Sequence, residues 1–208
     1  RPSETCFCGA FGIDAAAPAG DVVFTDTGKG YCVEAKTEKG EAFLASLGDI
    51  FTETEASECE SAQAKTRAIM DKLPLNKIGT QSFGGGKTEA LFSRPEWAEL
   101  SEACLACGTC TFVCPTCQCY DIKDFNTGKG VIRFRCWDSC MYSDFTKMSA
   151  GQPRLTQTER FRQRFMHKLV YFPENNDGMF SCVGCGRCIA KCPVNMDITK
   201  FIRQVIAE

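Results

Sequence analysis

Two stretches of the chain alternate apolar and polar positions, and several others repeat apolar residues at helical spacing. "DVVFT" and "YCVEAKT" flank the turn-forming "DTGKG", which predicts a hairpin within residues 1–36, behind a cysteine-bearing loop. "YDIKDFNTGKGVIRFR" predicts a second hairpin in the same way. Helix-forming composition marks "GEAFLASLG" and "TETEASECESAQAKTRAIMDKL"; in the second, Thr52 and Glu55 have the spacing of a capping box. "SRPEWAELSEA" predicts a helix capped by Ser93, with Pro95 in its first turn. "TQTERFRQRFMHKLVYF" predicts a strongly amphipathic helix, and "NMDITKFIRQVIAE" a last one.

Length and composition narrow the class. With 208 residues, 44% of them hydrophobic, and a formal charge of −2, the chain can pack one or two domains and has no mark of disorder. Lys and Arg number 24 against 26 Asp and Glu, so there is no basic field to draw it onto nucleic acid, which is not expected as a partner. No apolar run approaches the roughly 18 to 20 residues of a membrane span. The opening "RPSETCFCGAFG" lacks the regions of a signal peptide, so a cytoplasmic location is expected.

Sixteen cysteines change the picture. A chain long enough to bury a core does not need disulfide staples, and a reducing compartment leaves thiols available for metals. Two runs read C-x2-C-x2-C-x3-C-P: Cys104, Cys107, Cys110, Cys114 with Pro115, and Cys182, Cys185, Cys188, Cys192 with Pro193. This is the run that holds four-iron, four-sulfur clusters in bacterial-type ferredoxins. Three thiolates at two-residue intervals wrap one cubane, and the small residues Ala106, Gly108, Gly184 and Gly186 let backbone amides approach its sulfides. The fourth cysteine reaches the neighbouring cluster, with the proline turning the chain away. One cluster is therefore assigned to Cys104, Cys107, Cys110 and Cys192, the other to Cys182, Cys185, Cys188 and Cys114. Zinc sites more often show C-x2-C pairs without the third cysteine.

Eight cysteines remain: Cys6, Cys8, Cys32, Cys59, Cys117, Cys119, Cys136 and Cys140. "CFC", "CQC" and "CWDSC" cluster more tightly than scattered core thiols would, which leaves a third iron–sulfur centre, a zinc site and plain thiols all open. Cys32 and Cys59 read as isolated packing residues. "GGGKT" at Gly84–Thr88 lacks the earlier glycine of a phosphate loop and reads as a flexible linker. "GAFG" is too short for a dinucleotide fingerprint, and no flavin or NAD site is visible. His167, the only histidine, sits among Arg160, Arg162, Arg164 and Lys168 and reads as part of a solvated or docking helix face, with no acid–base pair.

"CLACGTCTFVCPTCQCYDIKD", "RCWDSCMYSDFT" and "CVGCGRCIAKCPVNMDI", preceded by "CFC" and a hairpin, resemble the iron–sulfur beta subunit of cytosolic sulfhydrogenases, which are soluble nickel–iron hydrogenases, and the related iron–sulfur subunit of anaerobic sulfite reductase. The resemblance implies a mainly α fold with small β-hairpins. A cysteine-bearing N-terminal segment would span residues 1–93, and a dicluster domain resembling the alpha-helical ferredoxin would span residues 94–208. It also matches Cys6, Cys8, Cys117, Cys119 and Cys140 to family positions as candidate ligands of a third 4Fe-4S cluster, whereas Cys136 has no clear match. Family members are longer at the N-terminus, so the chain is expected to be the C-terminal part of a longer polypeptide, with one further ligand before Arg1. The implied function is a relay of single electrons between a flavin subunit that exchanges hydride with NAD(P)H and a catalytic, hydrogenase-type subunit, without turnover by this chain alone. The alternative is a sulfite- or disulfide-reducing subunit in which a third cluster binds substrate.

Overall fold

The computed structural model describes residues 2–206; Arg1 and the last two residues of the expected C-terminal helix, Ala207 and Glu208, lie outside the described residues. The chain forms two compact units, residues 1–77 and 78–208.

In the first unit a single 3-10 turn, Cys8–Phe11, precedes the antiparallel pair β1 (Val22–Asp26) and β2 (Tyr31–Ala35), with Phe24 opposite Val33. α1 (Glu38–Ser46) starts where the Thr37 side chain accepts from the Gly40 amide at 3.2 Å, and α2 (Ala56–Met70) packs on β1. The expected capping box at Thr52 and Glu55 does not form. α2 begins at Ala56, its N-cap is Glu55 and no side chain caps it, so helix composition located the element but not its start. Arg67 of α2 reaches back with two nitrogens to the Asp14 carboxylate, at 3.0 and 2.9 Å.

The second unit includes residues 78–93, which sequence reading grouped with the N-terminal segment. α3 (Thr88–Phe92) and α4 (Glu96–Glu102) are short. Ser93 does not cap α4; Pro95 stands at the N-cap, where it has no N–H to leave unpaired. "GGGKT" is not a loose linker. The Gly84 amide donates to the Leu169 carbonyl at 2.9 Å, and a Cβ on Gly85 would lie 2.9 Å from the Glu174 Cα. α5 (Thr109–Phe112) lies within the first cysteine run and carries Cys110, and the antiparallel pair β3 (Tyr120–Asn126) and β4 (Val131–Trp137) follows the run.

α6 (Gln157–Met166) opens with a capping box. The Thr156 side chain accepts from the Glu159 amide, and the Glu159 carboxylate accepts from the Thr156 amide at 2.7 Å. It continues through one π turn, His167–Tyr171, into α7 (Phe172–Asn175). α8 (Arg187–Lys191) belongs to the second cysteine run, and α9 (Ile198–Ile206) ends the described chain. The core lies between α4, α6 and α9. Trp97 stacks on Phe201 with ring centroids 3.7 Å apart, meets Phe161 edge-on, and donates from its indole N–H to the Leu91 carbonyl at 2.7 Å.

The expected small β-hairpins are present, but the described residues form a mixed α/β arrangement of short helices and two two-stranded sheets, not a mainly α one. β3–β4 carries exposed Ile122, Phe125, Ile132, Phe134 and Trp137. Among the described residues no helix is long and apolar enough to cross a membrane.

Candidate metal centres

The two cysteine runs adopt the same backbone. The second residue between the first two cysteines is left-handed in both, Ala106 at φ 53° and Gly184 at φ 59°. So is the glycine after the second cysteine, Gly108 at φ 72° and Gly186 at φ 70°. Each of these glycines is the N-cap of the short helix carrying the third cysteine, α5 or α8, and those two helices pack on each other. The left-handed steps coil each C-x2-C-x2-C run so that its thiols converge.

The fourth cysteine of each run joins the other set. Cys192 lines one cavity with Cys104, Cys107 and Cys110. Cys114 faces Cys182 and Cys188, and Cys188 faces Cys185. Cys114 is held there by a knot of non-local bonds. Thr116 donates to the Ser181 carbonyl at 2.5 Å, and the Lys168 ammonium donates to the Thr116 hydroxyl at 2.7 Å and carbonyl at 2.9 Å. Donors also reach individual sulfurs: the Gln157 amide to Cys104 at 3.3 Å, and the Met196 amide to Cys192 at 3.1 Å. Burial pushes the Cys110 and Cys188 thiols up, and Cys182 up to about 12. A hydrogen bond to Thr109 lowers Cys107.

Cys117, Cys119 and Cys140 line a second cavity of about 500 Å³ with Arg154, His167 and Lys168. Cys119 is lowered to about 6, first by its hydrogen bond with Cys140, which raises Cys140 in turn, as burial does. Cys6 and Cys8 line a cavity of the first unit. Cys136 is half-buried in β4, opposite Asp121. Cys32 and Cys59, expected to be isolated, are hydrogen-bonded to each other between β2 and α2.

The basic residues of α6 and of the π turn after it do not all lie on a solvated face: Arg160 and Arg162 are half-buried, and two others are buried. Arg164 is 4% exposed and Lys168 5% exposed, because they follow Phe161 and Phe165 around the helix onto its inward side. Burial alone would lower the Arg164 pKa, yet it is raised by the facing Cys110, Cys188 and Cys117 and by a hydrogen bond to Cys188. Among the described residues neither cation pairs with a carboxylate, and the Arg164 Nε is buried without a hydrogen-bond partner. His167 is exposed, and Arg162 lies 3.6 Å over the Phe92 ring.

Residues 103–196 match the model of the 4Fe-4S dicluster domain. Over 98% of its length the chain is 34% identical to the subunit beta of sulfhydrogenase 2 from Pyrococcus furiosus. The chain is thus similar to a sulfhydrogenase subunit beta. The resemblance read from the cysteine runs is thereby borne out. The chain spans about 60% of the length of that relative. No solved structure matches it.

The donor set fits the iron–sulfur clusters that a dicluster domain implies. A cubane held by four thiolates is anionic, and two buried cations without carboxylates need such a counter-charge.

Proposed function

We propose that this chain is an electron-relay subunit of a multi-subunit oxidoreductase, with two 4Fe-4S clusters ligated in crossed fashion. Cys104, Cys107, Cys110 and Cys192 hold one; Cys182, Cys185, Cys188 and Cys114 hold the other. The observation that carries this reading is the place of Cys192 in one cavity with Cys104, Cys107 and Cys110 of the first run. When bound, the clusters supply one-electron transfer at low potential. The chain supplies the thiolates, the hydrogen bonds from Gln157 and Met196 that orient and tune them, and buried positive charge. All eight cysteines of the runs are used as ligands, which closes the irons to substrate, so the domain is of the alpha-helical ferredoxin type in function as well as motif.

Electrons enter from a flavin subunit that takes hydride from NAD(P)H and leave to a hydrogenase-type catalytic subunit, in the cytoplasm. Arg164 and Lys168 are buried and take no part in docking, so any docking role of this helix falls to the half-buried Arg160 and Arg162 and the exposed His167. The isolated chain accepts electrons from a strong reductant but neither oxidises NAD(P)H nor evolves hydrogen until both subunits are added. Steady NAD(P)H oxidation by flavoprotein-free chain overturns the reading. Replacing Cys192 by Ala tests the crossing: it changes the spectrum of the Cys104 cluster and spares that of the Cys182 cluster, and the reverse result contradicts the assignment.

A second reading is favoured by the cavity of Cys117, Cys119 and Cys140 with its basic rim. A third cluster there, ligated by three thiolates, would keep an iron position open to a sulfite or disulfide substrate. About twelve iron per chain would support it, and about eight would return the chain to pure relay.

A further inference from the structure

Arg164 is the feature that the ligand assignment alone does not use. It stands in the last turn of α6 and lines two cavities of the second unit, the one with Cys104, Cys107, Cys110 and Cys192 and the one with Cys117, Cys119 and Cys140. Its guanidinium faces Cys110, the third cysteine of the first run, and bonds to Cys188, the third cysteine of the second. It is 4% exposed, lies 4.5 Å over the Phe165 ring, and has no carboxylate partner among the described residues. One buried cation thus bonds to the third cysteine of one set and faces the third cysteine of the other.

We propose that Arg164 is a positioning residue shared by the two clusters, which raises both reduction potentials together. The proposal rests on the two-cluster reading above. The physics is electrostatic. Adding an electron to an already anionic cluster is opposed by its own charge, and a fixed positive charge in a dry site offsets that opposition. A guanidinium stays protonated under all working conditions and donates in a planar fork, so it bonds Cys188 while its charge is felt at Cys110. Lys168, one turn further on, is bonded to Thr116 and Ser181 and faces Cys114 and Cys182. It therefore serves the second set more than the first and does not duplicate the shared role.

The test is an EPR-monitored potentiometric titration of the full chain, prepared anaerobically with its clusters, for wild type, Arg164→Gln and Arg164→Lys. In Arg164→Gln both clusters should become harder to reduce, each by at least about tenfold in reduced-to-oxidised ratio at a fixed potential, or about 59 mV for a one-electron couple. Arg164→Lys keeps the charge and should hold both ratios within about threefold of wild type. Movement of only one cluster, or of neither, in Arg164→Gln overturns the proposal. If Arg164→Gln does not take up iron, Arg164→Lys decides. Full iron with both potentials retained supports a charge requirement, whereas loss of iron or displaced potentials there shows that Arg164 fills space and does not tune. Wild-type iron well below about eight per chain would instead sink the two-cluster reading on which the proposal stands.

Discussion

Thr116→Val removes one hydroxyl and almost no volume, yet it should destabilise one cluster and spare the other. The Thr116 hydroxyl accepts from the Lys168 ammonium at 2.7 Å, donates to the Ser181 carbonyl at 2.5 Å, and touches the Cys114 sulfur at 3.3 Å. Valine leaves Ser181 and Lys168 each without one partner in a buried site. A neutral hydrogen bond contributes about 1 kcal/mol and one to a charged group about 2, so the knot that holds Cys114 against the second run weakens by about 3 kcal/mol. At 1.4 kcal/mol per decade this is about a hundredfold in the equilibrium that keeps Cys114 in place. The assay is chelator challenge of the anaerobic holoprotein, with EPR to follow each cluster. Loss of the Cys182 cluster should be faster by up to about a hundredfold, loss of the Cys104 cluster unchanged, and Thr116→Ser close to wild type. Equal loss of both clusters, or loss of the Cys104 cluster first, would refute the reasoning.

Trp97→Ala empties the contact between α4, α6 and α9 and strands the Leu91 carbonyl, so unfolding free energy should fall by about 3–5 kcal/mol; a change below about 1 kcal/mol by thermal melting would contradict the packing described. Gly108→Ala is strained by its φ of 72° and places a Cβ 2.6 Å from the Tyr142 hydroxyl, which donates to the Cys107 carbonyl. Iron retention should therefore drop in Gly108→Ala, while Gly184→Ala is tolerated because Ala106 already occupies the matching position; equal effects would argue against the shared backbone. The Thr156 amide and hydroxyl hold the Glu159 carboxyl below its usual range. A depressed carboxyl contributes stability above its unfolded pKa and loses it as pH falls through the folded value. The difference in melting temperature between wild type and Glu159→Gln should thus be constant at neutral pH and vanish in acid; a difference that grows in acid would contradict the capping role.

What the sequence revealed and what it hid divide along local and non-local lines. Both hairpins were legible because Asp26 and Asn126 each accept from the glycine two residues on, at 2.8 Å, in the same T-G-K-G turn. The capping box that opens α6 follows from Thr156 and Glu159 alone. The start of α2 was not legible, since Thr52 and Glu55 have favourable spacing but no side-chain cap forms there. The knot of Thr116, Lys168 and Ser181 joins residues far apart in sequence and left no local trace. Arg164 and Lys168 did leave one. They share the helical stripe of Phe161, Phe165 and Leu169, so they belong with the apolar face, not the polar one. Grouping them with Arg160 and Arg162 by charge hid a signal that periodicity contained.

Metal content, measured by iron and acid-labile sulfide analysis of anaerobically prepared chain, tests the central claim most directly. The two crossed cysteine sets predict about eight iron and eight sulfide per chain, or about twelve of each if the Cys117 cavity also fills. Four iron or fewer, with zinc in their place, would contradict it.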